Sequence, residues 1–391
     1  MRFIHTSDWH IGRTFEREPL AEDQRAFLSW LAGQVAEHGV DAVVVAGDIY
    51  DRSLPSEEAT ALLDEGIDAL RAAGAQVVLI PGNHDGATRL AFGADRQRAA
   101  GVHVMAGPDV RPWILEAGGE QVAMITVPFL DPYTSPAPRP AADGSRRART
   151  HQSVLEDALD DGRTGLAELR ASHDGPLPSV AVAHAFVSGA EVSDSERTLA
   201  VGGTELVDAA VFADFDYVAL GHLHRPQIVG RDDTVAYSGS PLPYSFSETH
   251  PKSVRLVDLA PDGRTEVTCI PVPVGRPVTT LEGPLQDLLD DPGLADRTEH
   301  WVAAVLTDDT IQTQPLERLR ARFPHAVSVR YATRERSPDA GTSTAPADVS
   351  REPADAVVFA FLDDVLGDRL TATGRTLVGE AVAEVLREAG R

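Results

Sequence analysis

Five short apolar runs in this chain are each followed at once by side chains that can bind metal ions. In Ala42–Ala46, five small or β-branched residues are too few for a helix and predict a strand buried on both faces. Gly47 ends this strand and places Asp48 at its carboxyl end, where ligands collect in open α/β sheets. Taken alone, a Gly-Asp pair also suits a turn or a helix cap. The other runs are residues 3–6 before Asp8 and His10, 77–80 before Asn83 and His84, 180–183 before His184, and 217–220 before His222 and His224.

The recurrence of this arrangement favours one functional site over a set of unrelated turns. Carboxyl ends of neighbouring parallel strands meet at one edge of a sheet, so we expect these side chains to converge. They offer carboxylate, amide and imidazole ligands, a mixture that suits two divalent ions, with Mn²⁺ preferred and Mg²⁺ or Fe²⁺ as alternatives. Cys269 is the only cysteine, which excludes an intramolecular disulfide and argues against a structural zinc site.

Two such ions with a shared carboxylate form an arrangement suited to phosphoester hydrolysis. A carboxylate can bridge two cations at roughly 3.5–4 Å, and the ions then activate a water and polarise the phosphate. His84 directly follows Asn83, and we expect it to face the leaving group or the non-bridging oxygens, as an acid or as a stabiliser of the transition state.

Helical patterns between the first strands predict an α/β sheet. Residues 24–37 carry a helical apolar stripe, and a second helix opens after Pro55 and ends before Gly74. Between Leu166 and Leu259 the elements shorten and β-forming residues dominate, which favours a second sheet packed on the first. The predicted fold class is therefore an α/β fold, a two-sheet α/β sandwich, followed by a small α+β domain and C-terminal helices.

Proline-rich and polar segments divide the rest of the chain. Three prolines between residues 271 and 277 end the first domain, and residues 337–353 have the Ser, Thr, Pro, Asp and Ala content of a flexible linker. Beyond it, residues 356–366 and 370–386 predict two apolar-striped helices that are too short to form a core and need a partner. The predicted domains are 1–275, 276–336, a linker over 337–354, and helices over 355–391.

The charge of the chain restricts how it can bind nucleic acid. Its net charge is −25, whereas non-specific DNA affinity comes mainly from lysine and arginine, so DNA binding must be local, metal-assisted or shared with a partner. Lys252 is the only lysine, and no glycine-rich loop precedes it, so the chain is not expected to be an ATPase by itself. Without a membrane-spanning run or a signal-peptide core, we expect a cytoplasmic protein with no membrane partner.

The metal-binding motifs stand in the order Asp8-Trp-His10, Gly47-Asp48-Ile-Tyr-Asp51, Gly82-Asn83-His84-Asp85, His184 and Gly221-His222-Leu-His224. In this order and spacing the chain resembles the calcineurin-like metallophosphoesterases over residues 1–260. More narrowly, residues 6–12, 219–226 and 237–243 resemble the SbcD family, the nuclease subunits of bacterial SbcCD DNA-repair complexes. The small domain and the terminal helices resemble the capping domain of that family and its segment for binding the partner.

The resemblance implies a function and partners. It implies a metal-dependent DNA nuclease, with double-strand exonuclease and single-strand or hairpin endonuclease activity, in DNA repair, recombination and replication. The implied partners are an SbcC-like coiled-coil ATPase and DNA, in a heterotetramer that contains a homodimer of this chain. Residue by residue, it implies one metal on Asp8, His10, Asp48 and His224 and the other on Asp48, Asn83, His184 and His222.

Several residues near the motifs have open roles. Asp51 stands where archaeal and eukaryotic relatives carry a histidine and the bacterial branch usually carries aspartate, so we expect it only to orient catalytic groups. Arg13, Arg52 and Arg225 flank the ligand loops and suit either phosphate or DNA binding or salt bridges to nearby aspartates. The cluster Arg146, Arg147 and Arg149 suits either a solvated loop or a DNA contact. The remaining histidines, His5, His38, His103, His151, His173, His250, His300 and His325, are expected on the surface or in the core.

Two rival functions remain open at this point. A stand-alone phosphodiesterase or phosphatase of the same superfamily, acting on a small or protein substrate, would not need the extra domain and helices. A non-catalytic scaffold would have a broken ligand set, whereas the set in this chain is complete.

Overall fold

The computed structural model describes residues 1–196, 206–230, 232–332, 356, 358, 359, 362 and 371–388. The chain divides into two compact units, Met1–Ala332 and Thr333–Arg391.

Two six-stranded sheets form the centre of the first unit. Each has a parallel core, with antiparallel strands at one edge of the first sheet and at both edges of the second. In spatial order, the first sheet contains β16 (Thr265–Pro271), β15 (Ser253–Leu259), β1 (Arg2–Thr6), β4 (Ala42–Ala46), β5 (Gln76–Ile80) and β6 (Val102–Val104). The second contains β13 (Gln227–Ile228), β14 (Val235–Tyr237), β12 (Tyr217–Gly221), β9 (Ser179–His184), β8 (Glu120–Val127) and β7 (Trp113–Ala117).

The two sheets pack face to face, as β4 shows. Val44 and its alternate neighbours lie in a core with Val182 and Tyr217 of the second sheet. Val43 and Val45 point the other way, into a core formed with two helices. Because side chains alternate along a strand, burial of both faces explains why this run is continuously apolar. The predicted two-sheet α/β sandwich is confirmed.

Helices cover the outer faces of both sheets. On the first sheet lie α1 (Ala21–His38) and α2 (Glu57–Ala72), close to their predicted positions, and Ser56 caps α2 by accepting a hydrogen bond from the amide of Ala59. The second sheet is covered by α5 (His151–Ser172), a helix that sequence analysis did not predict. Short helices and strand pairs complete this part: α3 (Ala87–Leu90), α4 (Ala94–Arg98), β2 (Thr14–Phe15), β3 (Glu18–Pro19), β10 (Phe186–Val187) and β11 (Leu206–Val207).

A small domain with a three-stranded parallel sheet follows β16 and belongs to the same compact unit. Its first strand, Val278–Gly283, was not predicted from the sequence and pairs with the central strand, Trp301–Leu306. The ring of Trp301 stacks on Phe15 at 5.5 Å between centroids, within an apolar cluster that also contains Tyr244. The elements are β17 (Val278–Gly283), α6 (Leu285–Asp290), β18 (Trp301–Leu306), α7 (Pro315–Arg320) and β19 (Ala326–Tyr331).

The second unit contains α8 (Ala372–Glu388), close to the predicted helix over residues 370–386. Leu377 and Val385 on this helix are 61% and 64% exposed. The predicted linker over 337–354 and most of the predicted helix over 356–366 lie outside the described residues. Among the helices that are described, none has the length and apolar character needed to cross a membrane.

Candidate metal centre

All seven predicted ligands lie at one edge of the paired sheets. Six of them are at most 6% exposed, and Asn83 is half-buried. The strands β1, β4 and β5 are parallel neighbours in one sheet, as are β9 and β12 in the other, so their carboxyl ends meet. In chain order the ligands come from β1 (Asp8, His10), β4 (Asp48), β5 (Asn83), β9 (His184) and β12 (His222, His224).

One group of ligands, which we name the Asp8 half, consists of Asp8, His10 and His224. Each offers a ligand atom within 4.8 Å of the others. The Nε2 atoms of His10 and His224 are 3.2 Å apart. The carboxylate of Asp8 accepts hydrogen bonds from Ser7 Oγ at 2.6 Å and from the amide of His222 at 3.0 Å, which fix its orientation.

The other group, the Asn83 half, consists of Asn83, His184 and His222. Asn83 Oδ1 lies 3.0 Å from His184 Nε2 and 3.0 Å from His222 Nδ1. His184 Nδ1 lies 2.8 Å from the carbonyl oxygen of Ala46, to which it donates. A ring nitrogen that donates to a carbonyl carries its proton, so Nε2 is the atom that can bind a metal.

Asp48 lies between the two halves. Its Oδ2 is 3.5 Å from His10 Nε2 and also 3.5 Å from His184 Nε2. Its Oδ1 accepts a hydrogen bond from the amide of His84 at 2.9 Å. One carboxylate oxygen therefore faces an imidazole of each half, as a bridging ligand would.

The backbone at the site is strained. Asp8, His10, Asp48 and His222 have positive φ angles of 53°, 44°, 50° and 108°. Such conformations cost of order 1–3 kcal/mol each outside glycine and concentrate at functional sites. Backbone hydrogen bonds hold them: the amide of Asp8 donates to Gly47 O at 3.0 Å, and that of His10 donates to Asp48 O at 2.9 Å.

Burial and charge give the ligands unusual pKa values. Burial raises the pKa of Asp8 to about 6, and burial with His184 nearby lowers the pKa of His222 to about 3. Burial alone would lower the pKa of His184, but Asp48 and Asp8 raise it to about 9. Conversely, burial alone would raise the pKa of Asp48, but His184 holds it well below its usual range. A proton on His184 thus offsets the negative charge of Asp48 at the place where a bound cation would offset it.

The side chains fit a pair of divalent cations. Burial keeps the pKa of His10 well below its usual range, so this ring is neutral, the form that binds metals. Its Nδ1 is buried without a hydrogen-bond partner. Imidazole nitrogens, carboxylate oxygens and one amide oxygen converge without a thiolate, a donor set that suits first-row divalent ions.

His84 and Asp51 lie beside the Asp8 half. The ring of His84 is 4.7 Å from that of His10, and its Nδ1 donates to the backbone carbonyl of Asp51 at 2.9 Å. The carboxylate of Asp51 lies 3.7 Å from His10 Nδ1 and accepts a hydrogen bond from Arg13 at 3.1 Å. Asp51 thus lies beside His10 and, through its backbone carbonyl, contacts His84, and its orienting role stays a prediction.

The three arginines that flank the ligand loops all make ion pairs. Arg13 pairs with Asp51 and also lies over the ring of Tyr244, at 4.8 Å from its centroid. Arg52 lies 3.6 Å from Asp51, with a side chain that is 82% exposed. Arg225 pairs with Glu191. Salt bridges to acidic residues are thus present, and DNA binding by these arginines stays a prediction.

The arginine cluster lies in the proline-rich loop before α5, residues 131–150, and makes contacts within the protein. Arg147 pairs with Asp157 at 2.6 Å and with Glu156, both on α5. Arg149 donates to backbone carbonyls of the preceding loop, those of Pro132 and Ser135. These contacts fasten the loop to the helix and leave only Arg146 of the cluster without such a described contact.

The structural roles of two residues at the site were not predicted from the sequence. Asp85 accepts hydrogen bonds from the amides of Ile49, Tyr50 and Gly82 at 2.9–3.0 Å, so it joins the loop of Asp48 to the loop of Asn83. Asp85 lies in the motif Gly82-Asn83-His84-Asp85, and its position there was a signal that could have indicated this role. Tyr244 donates to the carbonyl of Trp9 at 2.7 Å, and nothing in its local sequence predicted that contact.

A group of buried charges around His224 was also missed. His224 Nδ1 lies 2.9 Å from Ser195 Oγ and 3.3 Å from a carboxylate oxygen of Glu248. The amide of His224 donates to Glu196, and its carbonyl accepts from Lys252 at 3.1 Å. The one available signal was that Lys252 is the only lysine of the chain.

Two family models match the chain. The calcineurin-like phosphoesterase model covers residues 1–226, which include all the ligands. A second model, described as the type 5 capsule protein repressor C-terminal domain, covers residues 274–364. Among solved structures, a dimetal phosphatase from Danio rerio matches with a TM-score of 0.34 and 13% identity, over 70% of this chain and 98% of that one. A likeness this distant carries no weight for function.

Curated relatives match over most of their length, and all three described here carry the name of the SbcD subunit of nuclease SbcCD. The Escherichia coli K12 protein is 33% identical over 74% of this chain and 72% of the relative. The Staphylococcus epidermidis protein is 30% identical over 84% and 85%, and the Bacillus subtilis protein is 31% identical over 87% and 88%. The chain therefore belongs to the calcineurin-like phosphoesterases and, within them, to the SbcD family of SbcCD nuclease subunits.

Proposed function

We propose that this chain is the metal-dependent nuclease subunit of an SbcCD-type complex. It hydrolyses phosphodiester bonds of DNA, as a double-strand exonuclease and a single-strand or hairpin endonuclease, in repair, recombination and replication. The observation that carries the proposal is the complete ligand set, in which Asp48 faces an imidazole of each half at 3.5 Å. Relatives at 30–33% identity with nuclease names support it.

The chain's own residues have distinct roles in this proposal. Asp8, His10, Asp48 and His224 hold one divalent ion, and Asp48, Asn83, His184 and His222 hold the other. When bound, such ions polarise a phosphate and activate water. As an imidazolium with a proton on both ring nitrogens, His84 would donate the Nε2 proton to the leaving oxygen or stabilise charge on the phosphate. Its bond from Nδ1 to the carbonyl of Asp51 turns the other ring nitrogen away from that backbone, and this supports a proton-transfer role for Nε2.

The identity of the metal is part of the proposal. Mn²⁺ suits this site better than Mg²⁺, because four imidazole ligands favour a softer ion and Mg²⁺ prefers oxygen ligands in rigid octahedral geometry. Fe²⁺ is the second candidate. Initial rates on one substrate, measured at equal free Mn²⁺ and Mg²⁺, decide the matter, and equal rates would count against the assigned ligands.

An SbcC-like ATPase supplies what this chain lacks for work on long DNA. The net charge of −25 disfavours binding to bare duplex, and the chain has no phosphate-loop lysine. The exposed Leu377 and Val385 on α8 support a helical dock for the partner's coiled coil. Deleting residues 350–391 should abolish co-purification with the ATPase and leave cleavage of a small phosphodiester intact. Loss of small-substrate cleavage in the truncated protein would instead make the helices part of the catalytic unit.

The remaining features of the assembly also belong to the proposal. We propose a homodimer of this chain within a heterotetramer, acting in the cytoplasm and without a membrane partner. Phe92 and Leu54 are 81% and 68% exposed, so both side chains are accessible for a contact between copies. Domain boundaries are proposed at 275, 336 and 354. Sedimentation of the wild-type protein beside a Phe92→Asp variant tests the dimer.

The deciding experiment compares substrates. The purified chain, alone and with its ATPase, is assayed with Mn²⁺ on linear duplex DNA, on hairpin DNA and on a small chromogenic phosphodiester. We expect cleavage of all three, with ATP stimulating only the DNA substrates. A stand-alone phosphodiesterase or phosphatase, the alternative, would cleave the small substrate and leave both DNA substrates intact in the presence of the ATPase.

A further inference from the structure

A buried ion pair lies directly behind one ligand of the metal centre. Glu248 and Lys252 are 2% and 8% exposed, and Lys252 Nζ lies 2.5 Å from Glu248 Oε2. The other carboxylate oxygen, Oε1, lies 3.3 Å from His224 Nδ1 and accepts a hydrogen bond from Ser195 Oγ at 2.7 Å. The two oxygens of Glu248 thus face different partners, the lysine on one side and the ligand imidazole on the other.

Lys252 also holds the backbone of the same ligand. Its Nζ donates to the carbonyl of His224 at 3.1 Å and to Ser240 Oγ at 2.9 Å. A compact ammonium with three donors can serve three acceptors in different directions, whereas a planar guanidinium cannot replace it in the same space. This geometry accounts for the single lysine of a chain whose other strongly basic side chains are all arginines.

We propose that Glu248 and Lys252 are positioning residues that hold His224 in the orientation and tautomer needed to bind a metal. The inference rests on the proposed function, because it assigns His224 as a ligand. A carboxylate at Nδ1 keeps the proton on that nitrogen and leaves Nε2, which faces His10 at 3.2 Å, to bind the ion. Lys252 occupies Oε2 and so keeps Oε1 for the imidazole.

The charge state of Glu248 agrees with this role. Both of its oxygens accept hydrogen bonds, Oε2 from Lys252 at 2.5 Å and Oε1 from Ser195 at 2.7 Å, as an ionised carboxylate does. In a Glu248→Gln variant, the amide oxygen turns to Lys252, because an amide NH₂ facing the ammonium would place two hydrogen-bond donors against each other. The NH₂ group then faces His224 Nδ1 and favours the tautomer with its proton on Nε2, which cannot bind a metal.

The test measures Mn²⁺ binding rather than activity. Full-length wild-type protein, Glu248→Gln and Lys252→Met are stripped of metal and titrated with Mn²⁺, and free Mn²⁺ is followed by electron paramagnetic resonance. We expect two sites in the wild type and an increase of about 10- to 100-fold in the Kd of one site in each variant. Asp233→Asn is the control, since it removes the half-exposed carboxylate that pairs at 2.7 Å with another buried cation, Arg255. It should lower the Tm and leave both Kd values unchanged.

The outcomes separate the two proposals. Folded variants that bind two Mn²⁺ ions with wild-type affinity would overturn the positioning role and leave the nuclease proposal standing. A wild-type protein that binds no Mn²⁺ would overturn both. Lys252→Met leaves a buried carboxylate unpaired, so if this variant does not fold, the near-isosteric Glu248→Gln decides. A purely structural role would lower the Tm of Glu248→Gln, as in the control, without changing either Kd.

Discussion

The two halves of the metal centre are held in place by different means. In the Asn83 half, His184 is fixed by a main-chain carbonyl, that of Ala46 at 2.8 Å, and the ring of Phe186 lies 6.1 Å from that of His222. In the Asp8 half, His224 is surrounded by the side chains of Ser195, Glu196, Glu248 and Lys252. A ligand tied to the main chain depends on the fold alone, whereas one tied to buried charges depends on particular side chains. The two halves should therefore respond differently to substitution.

The largest effect should come from Asp48, the residue that both halves share. In Asp48→Ala the remaining ligands would bring two cations together without the anion that offsets their repulsion. We expect hydrolysis of a small phosphodiester to fall by at least about 10³-fold, with loss of at least one bound ion. Metal analysis showing two bound Mn²⁺ ions and normal activity would mean that Asp48 does not join the halves.

His84 offers a ring nitrogen within 4.8 Å of ligand atoms of His10 and Asp48 but is assigned to neither half, so its removal should separate catalysis from metal binding. In His84→Ala we expect the rate to fall by about 10²- to 10⁴-fold, the usual contribution of a general acid or base. Mn²⁺ stoichiometry and affinity should stay at wild-type values, as measured by titration of the same preparation. A matching loss of bound metal would place His84 among the ligands.

A single methyl group should damage the Asn83 half selectively. A Cβ at Gly47 would lie 2.2 Å from His184 Nδ1, so Gly47→Ala must displace that ring from the carbonyl that fixes it. We expect the affinity of one Mn²⁺ site to fall by about 10- to 100-fold, as when an orienting contact of a ligand is lost.

A control for Gly47→Ala is available elsewhere in the chain. Gly74 has a similar positive φ of 112°, and a Cβ added there would meet no described atom within 4 Å, so Gly74→Ala introduces backbone strain alone. It should cost about 1–2 kcal/mol of stability without changing Mn²⁺ binding. Equal effects of the two substitutions on metal affinity would show that strain, rather than contact with His184, is responsible.

The difference between the two halves also explains which parts of the site could be predicted from the sequence. The ligands stand directly after apolar strands, so strand recognition alone brought Asn83, His184 and His222 to one edge. The contacts that hold His224 come from residues 24 to 29 positions away in the chain, within loops that have no periodic pattern. Polar residues in loops are usually exposed, and only tertiary packing turned Glu248 into a buried charge.

Other features that were not predicted from the sequence have local causes. The helix α5 follows a proline-rich loop with a cluster of arginines, and Gly162 and Gly165 interrupt its apolar stripe, so the helical pattern is weak. The positive φ angles at Asp8, His10 and Asp48 were also unforeseen, although Asp and His tolerate that region better than most residues. Where the sheet core decides burial, as in β4, the prediction was correct to the residue.

A pH dependence of metal binding in the wild-type protein should come from the Asn83 half. Asp48 and Asp8 outweigh the effect of burial and raise the pKa of His184 to about 9, so at neutral pH the metal-free protein carries a proton on this ring. The raised pKa stabilises the metal-free fold fully below about pH 6.5, and this contribution is lost as the pH rises through about 9.

A metal ligand must be unprotonated, so binding requires loss of this proton. Mn²⁺ affinity should rise by up to about tenfold per pH unit between about pH 6.5 and 8.5, with about one proton released per protein. Calorimetry in buffers of different ionisation enthalpy counts that proton. In His184→Gln binding should be weaker but less dependent on pH, and an unchanged slope in this variant would assign the released proton to the Asp8 half instead.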